Sequence, residues 1–521
     1  MKKIGFIILL TLSFLLLTNC NKNENKNPKI KFSDDTYKLF EEFTENKKDI
    51  IKKLKTLNKE EANRLYEQYA EDNENILYKI GEATEKFLDS IYYGPAEEQF
   101  TEKDWNDTNK ILNKYDLELW DVGEGMVTIR ELPHLYYDIF KDYVTDDYKE
   151  YLKIWAKDDE ELYQADAGLC ITFEELGDRI ARWENFLNKF PNSTLKSKVT
   201  ALLNSYREDY ILGMDNTPTI DGGYDNVPIT IYEEAKKEYD RFMKKYPNSP
   251  TVELIKYFLK NYQNKNIHEL IRCKIIEKFE KDPFVDVFSE TLGKMIVIQG
   301  NYLKYILGEK DWNVNITDGY IYSGEEKYPI QILGTSILNS DETSTWVWAW
   351  KNSDIFNGDL LSLIYNVHGL GMDLKLCTFI NSELKITDEV NGSILSTIAC
   401  GILSENLAFD KIAYTEAGGV VFYAVKDLPN KVFSSSVDAG VFMDITLNCI
   451  NLYNLNHKLF IESFLKQNKT KYKWQGDTII ADFEKDGELK IDFEKDGELK
   501  IDFEKVEDKL VLKEINFNEV K

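Results

Sequence analysis

Four histidines in 521 residues, six cysteines and no Cys-x-x-Cys pair leave little with which to build a structural zinc site. Basic residues are scarce too: 65 Lys and Arg stand against 91 Asp and Glu, for a formal net charge of −26. Nucleic-acid binding draws on Lys and Arg to neutralise phosphates, so this balance argues against a nucleic-acid partner. It also implies repulsion from anionic lipid surfaces. There is no Gly-x-Ser-x-Gly elbow and no Gly-Lys-Ser or Gly-Lys-Thr phosphate loop. GLGMD (Gly369 to Asp373) and GEGM (Gly123 to Met126) lack the third glycine and the strand–helix setting of a dinucleotide loop. No cofactor is implied. His368 has no evident serine or cysteine partner and reads as structural or exposed. Asp121 and Glu124 flank a glycine turn, but at 30 % charged residues acid pairs arise everywhere. A glycosidase dyad is defined by a separation of roughly 5–9 Å, which sequence does not give.

What is present is ample core material: 43 % hydrophobic and 13 % aromatic residues, over a length that suits two or three domains. The chain opens MKKIGFIILLTLSFLLLTNC. Lys2 and Lys3 precede an apolar run from Ile4 to Leu17, shorter than the ~20 residues of a spanning helix and matched to a secretory signal. Leu17-Thr18-Asn19-Cys20 resembles the lipobox of bacterial lipoproteins, with Asn19 where Gly or Ala is usual. The resemblance implies a signal peptide over 1–19, lipid on Cys20, and a polar tether over 20–31. It places the protein in the bacterial cell envelope, on the outer membrane, its periplasmic side or the cell surface, touching the membrane through the lipid alone. A plain signal peptide with an incidental cysteine, or an uncleaved anchor, is the alternative. Five further cysteines, Cys170, Cys273, Cys377, Cys400 and Cys449, sit mostly in apolar settings such as LKLCTFI and STIACGIL. They read as small buried hydrophobes more than as a disulfide framework.

Overall the pattern predicts an α+β protein: an all-α helical domain over 32–283, then an α+β domain over 284–521 with a mainly antiparallel sheet. DTYKLFEEFTENKKDIIKKLKTLNKEEANRLYEQYA carries apolar positions at three- and four-residue spacing. Within this half WENFLNKFPNS, from Trp183, is echoed by YDRFMKKYPNS, from Tyr239. Proline stops each helix, and Asn or Ser caps the next. These units resemble the turn of tetratricopeptide-like helical pairs, at a spacing longer than that family's ~34 residues; an ordinary helical domain with two similar turns gives the same pattern. Between them Asp215, Asn216, Asp221, Asp225 and Asn226 gather oxygens in one loop. Calcium would suit such ligands, but the EF-hand spacing is absent and Gly, Pro and Asx turn chemistry explains the loop, so no metal is assigned.

From about Asp311 the residues turn β-branched and aromatic, with helical stretches returning near LLSLIYNVHG, SILSTIACGILSEN and VDAGVFMDITLNCINLYNLNHKLFIESFL. DFEKDGELKI occurs twice in succession, from Asp482 and from Asp492, with Asp-Gly hairpin signals and a repeat that invites register slip. ILGTS (Ile332 to Ser336), TWVWAWKN and WQGDTIIADF together resemble an uncharacterised family of bacterial domains, marked by an LGT turn before a W-x-W-A-W-x-N strand. That resemblance covers roughly Phe284 to Phe517 and implies no activity. On a strand Trp346, Trp348 and Trp350 would share one face. Such a face stacks on sugars or cations if open, though its default use is core. The resulting expectation is a non-catalytic interaction or scaffold module that binds another envelope protein. The alternatives are an envelope-acting hydrolase using carboxylates of the C-terminal domain, and a glycan binder using the Trp face.

Overall fold

A computed structural model describes residues 32–94, 99–223, 227–352, 355–403, 405–414, 419–434, 436–476 and 478–483, and the backbone of 488–493 and 499–503. It is an α+β structure with a helical N-terminal region and a curled antiparallel sheet. The chain forms two compact units: one holds residues up to Val199 with Met214–Thr217, the other Thr200–Gly213 and the chain from Pro218 on.

In the first unit α1 (Asp34–Leu54) starts where Ser33 accepts the Thr36 N–H, and α2 (Lys59–Tyr93) where Asn58 and Glu61 cap each other reciprocally. Phe40, Phe43, Ile50 and Leu54 on α1, and Tyr66, Tyr69, Ile76 and Ile80 on α2, are buried at helical spacing, so the two helices pack together. α3 (Glu102–Leu112) leads to a hairpin of β1 (Leu117–Gly123) and β2 (Met126–Glu131). This hairpin corrects the expectation of an all-helical stretch. Buried Leu117 and Leu119 alternate with half-buried Glu118 and Trp120, a period of two. GEGM is its turn: Gly123, Glu124 and Gly125 all have positive φ, at 89°, 52° and 73°. Then come α4 (Leu135–Phe140), α5 (Asp146–Asp158), the two-residue strands β3 (Gln164–Ala165) and β4 (Gly168–Leu169), and α6 (Phe173–Lys189).

α7 (Lys196–Leu212) is followed by four two-residue strands, β5 (Gly213–Met214), β6 (Thr217–Pro218), β7 (Ile220–Asp221) and β8 (Thr230–Ile231). The second unit continues with α8 (Glu233–Lys245), α9 (Thr251–Asn261) and α10 (Ile267–Phe279). The two Pro-Asn-Ser ends have the same backbone. Phe190 closes α6 at φ −127°, ψ 61°, and Tyr246 closes α8 at φ −125°, ψ 58°, each N–H reaching the carbonyl four residues back. Ser193 and Ser249 then donate to the carbonyls of Phe190 and Tyr246 at 3.1 and 3.0 Å.

The core of the second unit gathers around α11 (Phe284–Tyr302). Seven strands curl beside it: β9 (Trp312–Asn315), β10 (Tyr320–Ser323), β11 (Glu326–Leu338), β12 (Ser344–Trp348), β13 (Glu383–Lys385), β14 (Ala408–Tyr414) and β15 (Gly419–Val425). The long β11 pairs first with β10 and later with β12 on one side, and with β15 on the other; β14 lies beyond β15. α12 (Ser362–Asp373), α13 (Cys377–Ile380), α14 (Gly392–Gly401), α15 (Lys431–Ser434), α16 (Ala439–Leu452) and α17 (His457–Gln467) occupy the expected helical stretches and add two short ones. A four-stranded antiparallel meander follows: β16 (Lys471–Gln475), β17 (Thr478–Asp482), β18 (Glu488–Phe493) and β19 (Leu499–Phe503). The duplicated decapeptide supplies the end of β17, β18 and the start of β19. Asp482 pairs with Glu488 between β17 and β18, but Phe493 with Leu499 between β18 and β19, one position further along an identical sequence.

Candidate functional site

Lys294 is the lone charge in the apolar run from Leu292 to Ile298, at the middle of α11. Glycines let two other helices approach it. A Cβ on Gly293 would fall 2.4 Å from the Phe460 carbonyl oxygen of α17, and one on Gly401 of α14 would fall 2.5 Å from Thr291 Cβ. The Lys294 ammonium donates to the carbonyls of Gly401 at 2.9 Å and Leu403 at 2.6 Å, at the end of α14. Such carbonyls lack helical partners and carry the negative end of the helix dipole, so a cation is favoured there. Burial pushes the Lys294 pKa below its ordinary value, against the pull of Cys400 and Glu290.

Beside it opens a cavity of about 400 Å³, in the size range of small-ligand sites. Glu290, Ser463, Lys466 and Gln467 give it polar groups; Val287 and Ile402 give it apolar wall. Ser463 is already committed, its hydroxyl donating to the Glu290 carbonyl at 2.6 Å. An ammonium has three donors. The two carbonyls use two, which leaves one, among the described residues, for an occupant. The arrangement suits a small carboxylate or similar anion. Lys294 was not among the sequence candidates; the one signal for it in the sequence is a solitary cation inside an apolar helical run.

The tryptophan face does not form as expected. β12 ends at Trp348, and Trp350 lies in the 3₁₀ turn Ala349–Asn352. Trp346 and Trp348 are fully buried and offer no ring face to a ligand. The glycine of the LGT turn explains why: a Cβ on Gly334 would lie 2.4 Å from the Trp346 ring, so the indole rests on bare backbone. Trp348 Nε1 donates to the Thr378 carbonyl at 2.8 Å. Trp350 is half-buried, stacked on Trp348 with centroids 4.7 Å apart and 4.5 Å from the His368 ring. His368 is in turn held by the Phe379 carbonyl, 3.0 Å from Nδ1.

Asp121 and Glu124 build the tip of the β1–β2 hairpin. Asp121 accepts the Gly123 N–H at 2.9 Å and the Tyr92 hydroxyl at 2.5 Å, while the Tyr93 hydroxyl donates to the Glu124 carbonyl at 3.5 Å. In the loop after α7, Asp221 accepts the Gly222 N–H at 2.8 Å and Asn216 donates to the Asp166 carbonyl. Asp225 and Asn226 lie outside the described residues, as does Cys20. Among the described residues no three His, Cys, Asp or Glu side chains stand close enough to hold a metal, and no helix is long and apolar enough to cross a membrane.

Residues 286–428, from α11 through β15, match the family model described as "Family of unknown function (DUF6882)", so the C-terminal half carries a domain of unknown function. No curated protein and no solved structure matches the chain.

Proposed function

We propose that the chain is a lipid-anchored bacterial envelope protein that acts as a non-catalytic interaction module, binding another envelope protein through the tip of its first unit. One observation carries this reading. Tyr92, Tyr93 and Met126 are 50 %, 72 % and 52 % exposed where the end of α2 meets the hairpin turn. Grouped exposed apolar side chains mark interaction surfaces, and tyrosine is among the residues that dominate binding energy. Both phenols are hydrogen-bonded to the hairpin, which orders the rings before a partner arrives. The matched Pro-Asn-Ser ends support helical pairs of the tetratricopeptide kind as the supporting scaffold. The lipobox-like Leu17–Cys20 supports the address.

The test is photo-crosslinking in intact cells from a probe replacing Tyr93, read by mass spectrometry. One dominant envelope protein is expected, and the double variant Tyr92→Ala/Tyr93→Ala should release it. No adduct, with the protein monomeric in cell extracts, would sink the interaction reading. Cys20→Ser should move the chain out of the membrane fraction; unchanged partition would sink the lipid anchor. The Lys294 cavity favours a second reading, in which the domain over 286–428 holds a small carboxylate. Calorimetry with a series of small carboxylates tests it: heat that disappears in Lys294→Met supports it, and no heat with any member refutes it.

A further inference from the structure

α10 and α13 meet through sulfur. Cys273 on α10 and Cys377, the first residue of α13, are buried with Ile276 and Ile380 in a small cluster closed by Met372. Each thiol reaches the other's backbone: Cys273 Sγ lies 3.8 Å from the Cys377 carbonyl oxygen, and Cys377 Sγ lies 3.8 Å from that of Cys273. The contact is reciprocal, each thiol lying against the backbone of the other cysteine. That contact, ahead of burial, holds the Cys377 thiol far above the ordinary thiol range. Asn381 Nδ2 donates to Cys273 Sγ at 3.3 Å, so this sulfur is held in place from the α13 side. Both cysteines are free.

We propose that Cys273 and Cys377 form a disulfide site, closed by a disulfide-donating thiol oxidant, that staples α10 to the domain of residues 286–428. Cys273, as thiolate, attacks one sulfur of the donor; a mixed disulfide forms and one donor thiolate leaves. Cys377 then loses its proton, attacks Cys273 Sγ and expels the second donor thiolate. The two protein protons end on the two leaving thiolates, so the donor gains two electrons as two thiols and the protein loses two as one S–S bond. α13 is the element that opens to admit the donor: it has four residues and follows Lys375, held at φ 57°. Around this small apolar cluster the seam is polar. Lys375 Nζ donates to both Glu280 oxygens at 2.8 and 2.7 Å, and Asn266 Nδ2 to Ser382 Oγ at 3.2 Å. The cysteines are 104 positions apart, and linking positions so distant restricts the unfolded chain strongly.

The test incubates the full-length chain with reduced and oxidised glutathione at graded ratios, then quenches in acid and alkylates after unfolding. Expected are a peptide pair joining Cys273 to Cys377, a protein lighter by two hydrogen atoms, and a thermal midpoint raised by on the order of 5 °C. Cys377→Ser should show none of these. If that variant fails to fold, the same rise should vanish when dithiothreitol is added to the oxidised native chain. Full alkylation of both residues at every ratio overturns the proposal, as does glutathione found only on the exposed Cys170.

Discussion

Asp158 in the first unit and half-buried Lys294 in the second are charges held in opposite ways. Asp158, 5 % exposed in the first unit, is enclosed by donors: Arg182 Nη2 at 2.7 Å, Trp183 Nε1 at 2.8 Å and Arg179 Nε at 3.9 Å. Lys294 in the second unit is met by backbone carbonyls and an open cavity. In both, burial works against the charged form, raising the Asp158 pKa and lowering that of Lys294. A carboxylate closed in by two guanidinium groups is a joint between α5 and α6. An ammonium held by two carbonyls beside a cavity keeps a donor to offer.

The comparison is broken most easily by deleting the charges. Asp158→Ala leaves Arg179, 2 % exposed, to Glu175 at 3.4 Å, takes a carboxylate from Arg182 and removes the acceptor of Trp183. Breaking a buried pair from one side costs about 3–5 kcal/mol. Lys294→Met takes away the ammonium and leaves two carbonyls beside a cavity that admits water, an expected loss of about 1 kcal/mol. Urea unfolding of the full chain, resolved by hydrogen exchange of peptides from each unit, reads both. Equal losses would mean that Lys294 is a joint as well.

Two tryptophans sharpen the same contrast with a smaller effect. Trp183 Nε1 donates to Asp158, whereas Trp346 Nε1 is buried without a partner among the described residues. Replacement by Phe removes similar volume from each site, so the difference between Trp183→Phe and Trp346→Phe reads the hydrogen bond to a charged group, about 1.5–3 kcal/mol. Urea midpoints measure it. A Trp346→Phe loss as large would show that the Trp346 indole N–H has a partner after all.

Periodicity made much of this fold legible. Helical spacing marked α1 and α2, and the Pro-Asn-Ser echo marked two helix ends whose backbones agree within a few degrees. The β1–β2 hairpin was hidden because its alternation, Leu117 and Leu119 against Glu118 and Trp120, is brief and lies between strong helical patterns. Trp350 was misplaced because strand spacing holds only while the strand lasts, and β12 stops two residues earlier. The Cys273–Cys377 contact was illegible for a different reason. It joins elements 104 positions apart, and no local pattern reports which buried cysteines meet. Lys294 lay between these cases: its solitude was readable, the cavity was not.

The smallest expected effect tests whether Lys294 is as isolated as its geometry says. Its folded pKa lies below the ordinary 10.5, so the native state sheds this proton at a lower pH than the unfolded chain does. Between those two values the unfolded state binds more protons, and stability rises with pH. Tyr302 and Tyr423 have pKa values raised by burial; their contributions are full below the ordinary value of 10.0 and fade above it. Those tyrosines are common to native protein and Lys294→Met, so subtracting the two urea-unfolding curves removes their part. The difference should stay flat near neutrality and then climb with pH in a window that closes by 10.5. A bound small carboxylate would hold the proton on Lys294, move the climb to higher pH and narrow it. A difference that stays flat throughout would mean that the ammonium is solvated like an exposed one, and the cavity would then lose its recognising group.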